Sequence, residues 1–253
     1  MYPDNDHERV LEGTTALITG ASRGIGRAIA LAMAASGARV ALTARRVESV
    51  IDVAHDCGES SMPLSLEASE EESCNQAVRA VEEEFGHLDI LVNNAGIAES
   101  AKFLDTHNAM WRRILTVNLD GPFWMTRAAL PGMLARSDGR IISIGSVASR
   151  IGLAYAAPYT SAKHGLLGFT RALAKEFALS GVTFNCICPH YVETPMTEST
   201  IARISAKTGR TYDESRKALL TPGNAHRAHG CRHHVRVTRV DRWQGHHRAS
   251  DPD

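Results

Sequence analysis

The chain carries no excess of charge of either sign: lysine plus arginine number 28 and aspartate plus glutamate number 28, so no global field favours nucleic acid. No apolar run approaches the roughly 20 residues needed to cross a bilayer, and Met1 to Val10 is polar and lacks the apolar core of a secretory signal. Five cysteines, Cys57, Cys74, Cys186, Cys188 and Cys231, are too few and too scattered for a disulfide framework. The spacing Cys186-x-Cys188 is that of neither a redox pair nor a zinc pair. These absences point to the cytoplasm, with neither membrane nor nucleic acid as a partner. There is also no internal repeat, and no linker before about Thr221. What is present, 253 residues with 43% apolar content, suffices to bury one full core.

Strand-like and helix-like periods alternate, as they do in βαβ units with a parallel sheet. Short apolar runs at Thr15 to Thr19, Val40 to Thr43, Asp89 to Val92, Ile141 to Ile144 and Val182 to Ile187 suit strands buried on both faces. Between them, Ile25 to Ser36 reads as a helix ended by Gly37, and Ser69-Glu70-Glu71-Glu72 as a capping box opening a helix toward Phe85. Ala109 to Ala135 has helical spacing broken near Pro122 and Pro131, and Tyr159 to Ser180 forms a further amphipathic helix.

A glycine-rich turn, Thr19-Gly20-Ala21-Ser22-Arg23-Gly24-Ile25-Gly26, follows the first strand and opens the first helix. Glycines there let the backbone approach a pyrophosphate, and the helix N-terminus offers unpaired amides and a positive dipole end. Alone, such a turn could equally be a tight βα connection without a ligand. Downstream, Tyr159 and Lys163 stand four apart, so on a helix they share a face, where an ammonium favours ionisation of the phenol. Ser146 follows the run Ile141 to Ile144, at the strand end where open α/β sheets place ligands, and its hydroxyl can donate to a developing alkoxide. Taken singly, the tyrosine and lysine could be a surface pair, the serine a turn former and Asn118 a cap or a core amide. In combination with the glycine turn they make a carbonyl-reducing or alcohol-oxidising site.

The chain resembles the short-chain dehydrogenase/reductase family over about residues 12 to 222. The resemblance rests on the TGASRGIG run, on Asn93-Asn94-Ala95-Gly96, and on the ordered set Asn118, Ser146, Tyr159 and Lys163. The stretches Ala157 to Gly165 and Val192-Glu193-Thr194-Pro195-Met196 look closest to 3-oxoacyl thioester reductases and aromatic polyketide ketoreductases. The resemblance implies an α/β, doubly wound Rossmann-like sheet with helices on both faces, usually of seven strands ordered 3-2-1-4-5-6-7, assembled as homotetramers or homodimers. It implies a catalytic role for Asn118, Ser146, Tyr159 and Lys163, with Asn118 holding a helix distortion and a water that relays protons from Lys163. It also assigns cofactor contacts to Gly20, Ser22, Arg23, Gly24, Ile25 and Gly26, then to Asn93 beside the ribose and to Ala95 and Gly96. Glu67 and Ala68 would lie near the adenine, Tyr159 and Lys163 at the ribose, and Pro189, Val192 and Thr194 near the carboxamide end. No metal is expected.

The kind of dinucleotide is legible after the second strand. A domain that binds NAD generally offers an acid to the adenosine ribose, whereas a 2′-phosphate needs positive charge. Here Thr43-Ala44 is followed by Arg45 and Arg46, and the glycine turn carries Arg23. NADP(H) is therefore expected, with Arg45 and Arg23 as its contacts. The expected activity is reduction of a ketone to a secondary alcohol, reversibly, on a 3-oxoacyl thioester or polyketide-type substrate. The alternatives are a dehydrogenase of a steroid, sugar or small cyclic alcohol, and a non-catalytic NADP-binding relative.

Two departures stand out. His190 occupies a position where relatives usually carry glycine, and residues 224–253 hold six histidines and six arginines with few apolar residues. Back-translated and read one base later, Gly245-His246-His247-Arg248 permits Gly-Ile-Thr-Gly, which resembles the usual ending of the family. The expectation is one domain over residues 1–223, then an atypical His/Arg-rich tail over residues 224–253, disordered or from a shifted reading frame, with the last strand missing or altered.

Overall fold

A computed structural model describes residues 9–189, 198, 201–202, 205–206 and 208–220. Among them, six parallel strands form one sheet in the order β3-β2-β1-β4-β5-β6. The strands are β1 (Thr15–Ile18), β2 (Arg39–Ala44), β3 (Ser61–Ser65), β4 (Ile90–Asn93), β5 (Gly139–Ile144) and β6 (Val182–Ile187). The central pair, β1 and β4, is buried at every residue, which is why these strands read as unbroken apolar runs.

Helices cover both faces, completing three layers. On one face, α1 (Gly24–Ala35) and α2 (Glu48–Cys57) set Ile29, Met33, Val50 and Val53 against Ala16, Ile18, Val40 and Val92. On the other, α3 (Glu71–Phe85) and α5 (Gly121–Arg136) set Val78, Val81, Met125 and Met133 against Leu17, Ala41, Leu91 and Ile141. Successive strand residues thus feed opposite cores, and each large side chain fully buried contributes roughly 1.5–3 kcal/mol. The doubly wound α/β architecture is the one expected.

Four local expectations need correction. β3 was not expected because Ser61-Met62-Pro63-Leu64-Ser65 is only half-buried and contains proline; it lies at the sheet edge, where proline is tolerated. The capping box at Ser69 does not form. Its hydroxyl and backbone N–H both donate to Glu67 Oε1, at 2.5 and 3.1 Å, and α3 begins at Glu71 without a side-chain cap. A capping box forms instead at Thr211, whose Oγ1 accepts from Glu214 N–H at 3.2 Å while its own N–H donates to Glu214 Oε2 at 2.8 Å, opening α7 (Tyr212–Leu220). Pro131 does not break its helix, since α5 runs through it to Arg136.

The helical stretch before α5 is interrupted, but upstream of Pro122. α4 (Asn108–Leu115) runs into a π turn, Thr116–Asp120, and this passes directly into α5. α6 (Ala157–Glu176) then crosses toward the β5 end, with Ala162 packed against Met110 and Ile114 of α4. A seventh strand, and the tail of residues 224–253, lie outside the described residues.

Candidate active site

The glycine turn is held in shape by β4 and its following loop. Thr19 Oγ1 accepts from the N–H groups of Asn94 and Ala95, both at 2.9 Å, and Asn94 Nδ2 donates to the carbonyls of Thr19 and Gly20 at 2.9 and 3.0 Å. The approach is close. A methyl at Gly26 would lie 2.4 Å from both Gly20 O and Asn94 Nδ2, so only glycine fits without displacing backbone. Arg23, extended at φ −163°, is the N-cap of α1 and makes no side-chain cap bond; the first turn carries no acidic residue. The amides of Gly24, Ile25 and Gly26 therefore open a helix N-terminus suited to an anion. Ser22 is half-buried in the same turn, and Ile25 packs toward the core.

Arg45 lies just past the end of β2 and is exposed, as is Arg23. No carboxylate among the described residues pairs with either guanidinium, whereas Arg27 of the same helix is held 2.8 Å from Asp56. Beyond β3, Ala68 is buried and Glu67 is occupied with Ser69. The Asn93 side chain is buried and donates to Thr126 Oγ1 of α5 at 3.2 Å.

A second group assembles around Gly96. The π turn carries Asn118 fully inside, where its Nδ2 donates to the carbonyls of Ile97 and Ile114 at 2.9 and 2.8 Å. Its Oδ1 is buried and has no partner among the described residues. A methyl on Gly96 would be 2.8 Å from that oxygen and 3.8 Å from Lys163 Nζ, so the two polar atoms border one small space. Lys163 is 4% exposed and donates to Ile144 O at 2.8 Å. Burial pushes its ammonium down to about 8, against a smaller opposing effect of the thiols of Cys186 and Cys188. Its Nζ stands 5.8 Å from the centre of the Tyr159 ring, one turn earlier on α6.

Ser146 is presented by the β5 end. Gly145 N–H donates to Ile187 O at 2.7 Å and Val147 N–H to Pro189 O at 2.8 Å, tying this loop to the end of β6. Ser146 caps the short helical turn Val147–Ser149: its Oγ accepts from Ala148 N–H at 3.2 Å, and its own N–H donates to Ser149 Oγ at 3.1 Å. The hydroxyl oxygen is thus oriented by an acceptor bond, which leaves its hydrogen available to a ligand.

The structure therefore brings Gly96, Asn118, Ser146, Tyr159 and Lys163 to the C-terminal edge of the sheet, beside the glycine turn of residues 19–26. Pro189 is buried close by, while Val192, Thr194 and His190 lie outside the described residues. Asn94 and Thr19 were not singled out from sequence, although Asn94 stands inside a quoted motif; the doubled amide was the available signal. The orphaned Asn118 oxygen and the glycine cradle fit a bound dinucleotide. No group of three or more potential metal ligands occurs among the described residues, and no described helix is long and apolar enough to cross a membrane.

Known proteins share the sequence and the fold of this chain. Residues 14–204 match the family described as short chain dehydrogenase. The 3-oxoacyl-(acyl-carrier-protein) reductase FabG of Vibrio cholerae is 41% identical over 189 residues, covering 75% of this chain and 78% of that protein. A protein of Streptomyces virginiae, named as a ketoacyl reductase of the monensin polyketide synthase, is 38% identical over 211 residues, covering 81% of this chain and 79% of that one. Among solved structures, a variant of actinorhodin polyketide ketoreductase with NADPH superposes with a TM-score of 0.79 at 34% identity, covering 85% of each chain. The shared profile, the parallel sheet and this degree of likeness lead to one conclusion: the chain belongs to the short-chain dehydrogenase/reductase family and is an oxidoreductase acting between alcohol and carbonyl groups.

Proposed function

We propose that the chain is an NADP(H)-dependent carbonyl reductase whose substrate is a 3-oxoacyl thioester or a polyketide-type ketone. The observation that carries the reading is the meeting of the buried Lys163 ammonium and the Asn118 oxygen at Gly96, with Tyr159 one turn earlier on α6 and Lys163 anchored to the Ile144 carbonyl at the β5 end that leads into Ser146. Reduced nicotinamide, when bound, supplies the hydride.

The residues divide the remaining work. Ser146 and Tyr159 hold the substrate carbonyl, and as negative charge grows on its oxygen the Ser146 hydroxyl stabilises it. Tyr159 gives its phenolic proton to that oxygen. Lys163 holds positive charge beside the phenol, which eases that transfer, and its remaining donors suit a ribose hydroxyl and a water on Asn118 Oδ1. Arg45 and Arg23, free of carboxylates, suit a 2′-phosphate. The named reductases among the relatives support the substrate class. The working enzyme is proposed to be cytoplasmic, with residues 1–223 as one domain, and to assemble as a homotetramer or homodimer where its C-terminus is intact.

The test is thermal unfolding of the purified chain with NADPH and with NADH, followed by NADPH consumption on a panel of ketones. The expected result is greater stabilisation by NADPH and turnover of an acyl thioester. Turnover confined to steroids, sugars or small cyclic ketones would overturn the substrate class. No nucleotide stabilisation of a cooperatively folding chain would overturn the reductase itself. Arg45→Ala should weaken NADPH binding roughly tenfold, the size of one charge-assisted contact, and leave NADH binding unchanged.

Ketone reduction should also fall as pH rises through about 8, where buried Lys163 loses its charge. The sign for stability follows from the same shift. The folded value lies below the ordinary 10.5, so burying the charge counts against folding below about 8, and that penalty fades as pH rises between the two values. A flat rate profile from pH 7 to 9 would exclude this role for Lys163.

A further inference from the structure

Cys186 and Cys188 have no part in the chemistry above, yet the chain at the end of β6 brings them together. Cys186 lies in β6 and Cys188 follows its last residue, Ile187; the two sulfurs lie 3.9 Å apart, both half-buried and both free thiols. They rest against the loop that carries Ser146. A methyl on Gly145 would lie 2.9 Å from Cys186 Sγ, 3.1 Å from Cys188 Sγ and 2.9 Å from Ser149 Oγ. The Ser149 hydroxyl accepts from the Ser146 N–H and gives its own hydrogen to Cys188.

We propose that Cys186 and Cys188 form a reversible thiol modification site, closed to a disulfide by peroxides, which disturbs the loop holding Ser146. The two thiols are unequal. The hydrogen bond between the two sulfurs, further hydrogen bonds from Ser149 and Ser146 and the charge of Arg150 nearby lower Cys188 despite partial burial. Cys186 is held up by that same bond and by burial. Cys188 is therefore the more readily ionised thiol and Cys186 its partner, the arrangement of an attacking and a resolving cysteine.

The steps balance. The Cys188 thiolate attacks one oxygen of hydrogen peroxide, an S–O bond forms, the O–O bond breaks, and hydroxide leaves as water after taking a proton. Cys186 sulfur then attacks the Cys188 sulfenic sulfur, an S–S bond forms, the S–O bond breaks, and the second water carries away the Cys186 proton. Two thiols are oxidised by two electrons and one peroxide is reduced to two waters. Contraction from 3.9 Å to a bond of about 2 Å draws Cys188 away from Ser149, and so loosens the bond that sets the Ser146 backbone.

The experiment uses the full chain, treated with hydrogen peroxide, alkylated, digested with trypsin and weighed. Residues 176–203 form one tryptic peptide containing both cysteines and no other. The expected result is loss of two hydrogens from that peptide, protection of both thiols from iodoacetamide, and full reversal by dithiothreitol. Cys186→Ala should instead leave a Cys188 sulfenic acid that dimedone traps; Cys188→Ser should prevent the linkage. Full alkylation of both thiols after peroxide, or Cys188 carried to sulfinic acid beside a free Cys186, would overturn the proposal, and the wild-type mass needs no variant to fold. The mass reading needs no substrate, so it fails or succeeds independently of the reductase reading. Only the accompanying loss of ketone turnover, restored by dithiothreitol, rests on that reading.

Discussion

Tyr159→Phe is expected to lower ketone turnover by about 10² to 10⁴-fold, the usual contribution of a positioned proton donor. The change removes one oxygen and leaves the ring, which packs against the cluster of Met110, Ile114 and Ala162, so the fold should persist. NADPH should still raise the unfolding temperature, because the glycine turn and Arg45 are untouched. That combination, chemistry lost and binding kept, separates a proton donor from a residue that merely supports α6. Turnover within tenfold of the parent would remove Tyr159 from the mechanism. Loss of the NADPH-induced shift would show that the ring mainly shapes the cofactor site. The same variant distinguishes an enzyme from a non-catalytic binder, in which it would change nothing measurable.

Gly26→Ala should abolish nucleotide binding at a modest cost in stability. Its methyl would meet Gly20 O and Asn94 Nδ2 at 2.4 Å. One of these is backbone; the other is the amide that fixes the turn to the loop after β4. Either α1 shifts or the Asn94 clamp opens, and both move the amides of Gly24 and Ile25. Overpacking of this kind costs roughly 1–3 kcal/mol, or about 2–12 °C in unfolding temperature for a domain of this length. The decisive reading is the difference between melts with and without NADPH, which should vanish. Gly152→Ala is the control, since a methyl there meets nothing within 4 Å. A Gly26→Ala protein that NADPH still stabilises fully would show that the turn does not hold the pyrophosphate.

How far these features were legible in the sequence depended on what produced each of them. β1 and β4 were readable because burial on both faces demands nearly uninterrupted apolar residues, and the local sequence alone carries that signal. β3 was hidden because an edge strand needs no such run and Pro63 speaks against one. The Ser69 motif misled because a nearby carboxylate, Glu67, competed for the hydroxyl that a cap would use. Lys163 and Tyr159 followed from helical spacing. The depth of Lys163, and the opposing preferences of Cys186 and Cys188, depend on elements far apart in the chain and leave no local trace. The π turn is the clearest case: Thr116-Val117-Asn118-Leu119-Asp120 carries no periodicity that marks it, and only resemblance pointed to a distortion at Asn118.

That turn also has a consequence for the helices it joins. An α-helix advances about 100° per residue, so the one additional residue in a π turn advances the phase of everything after it by about that angle. The inward stripe of α4, at Met110 and Ile114, and that of α5, at Met125, Ala129 and Met133, therefore belong to two different angular registers on nearly one axis. The first faces α6 and the second faces the sheet. A regular helix across residues 108–136 would have to choose one of those partners, and the inserted residue lets a nearly continuous rod serve both.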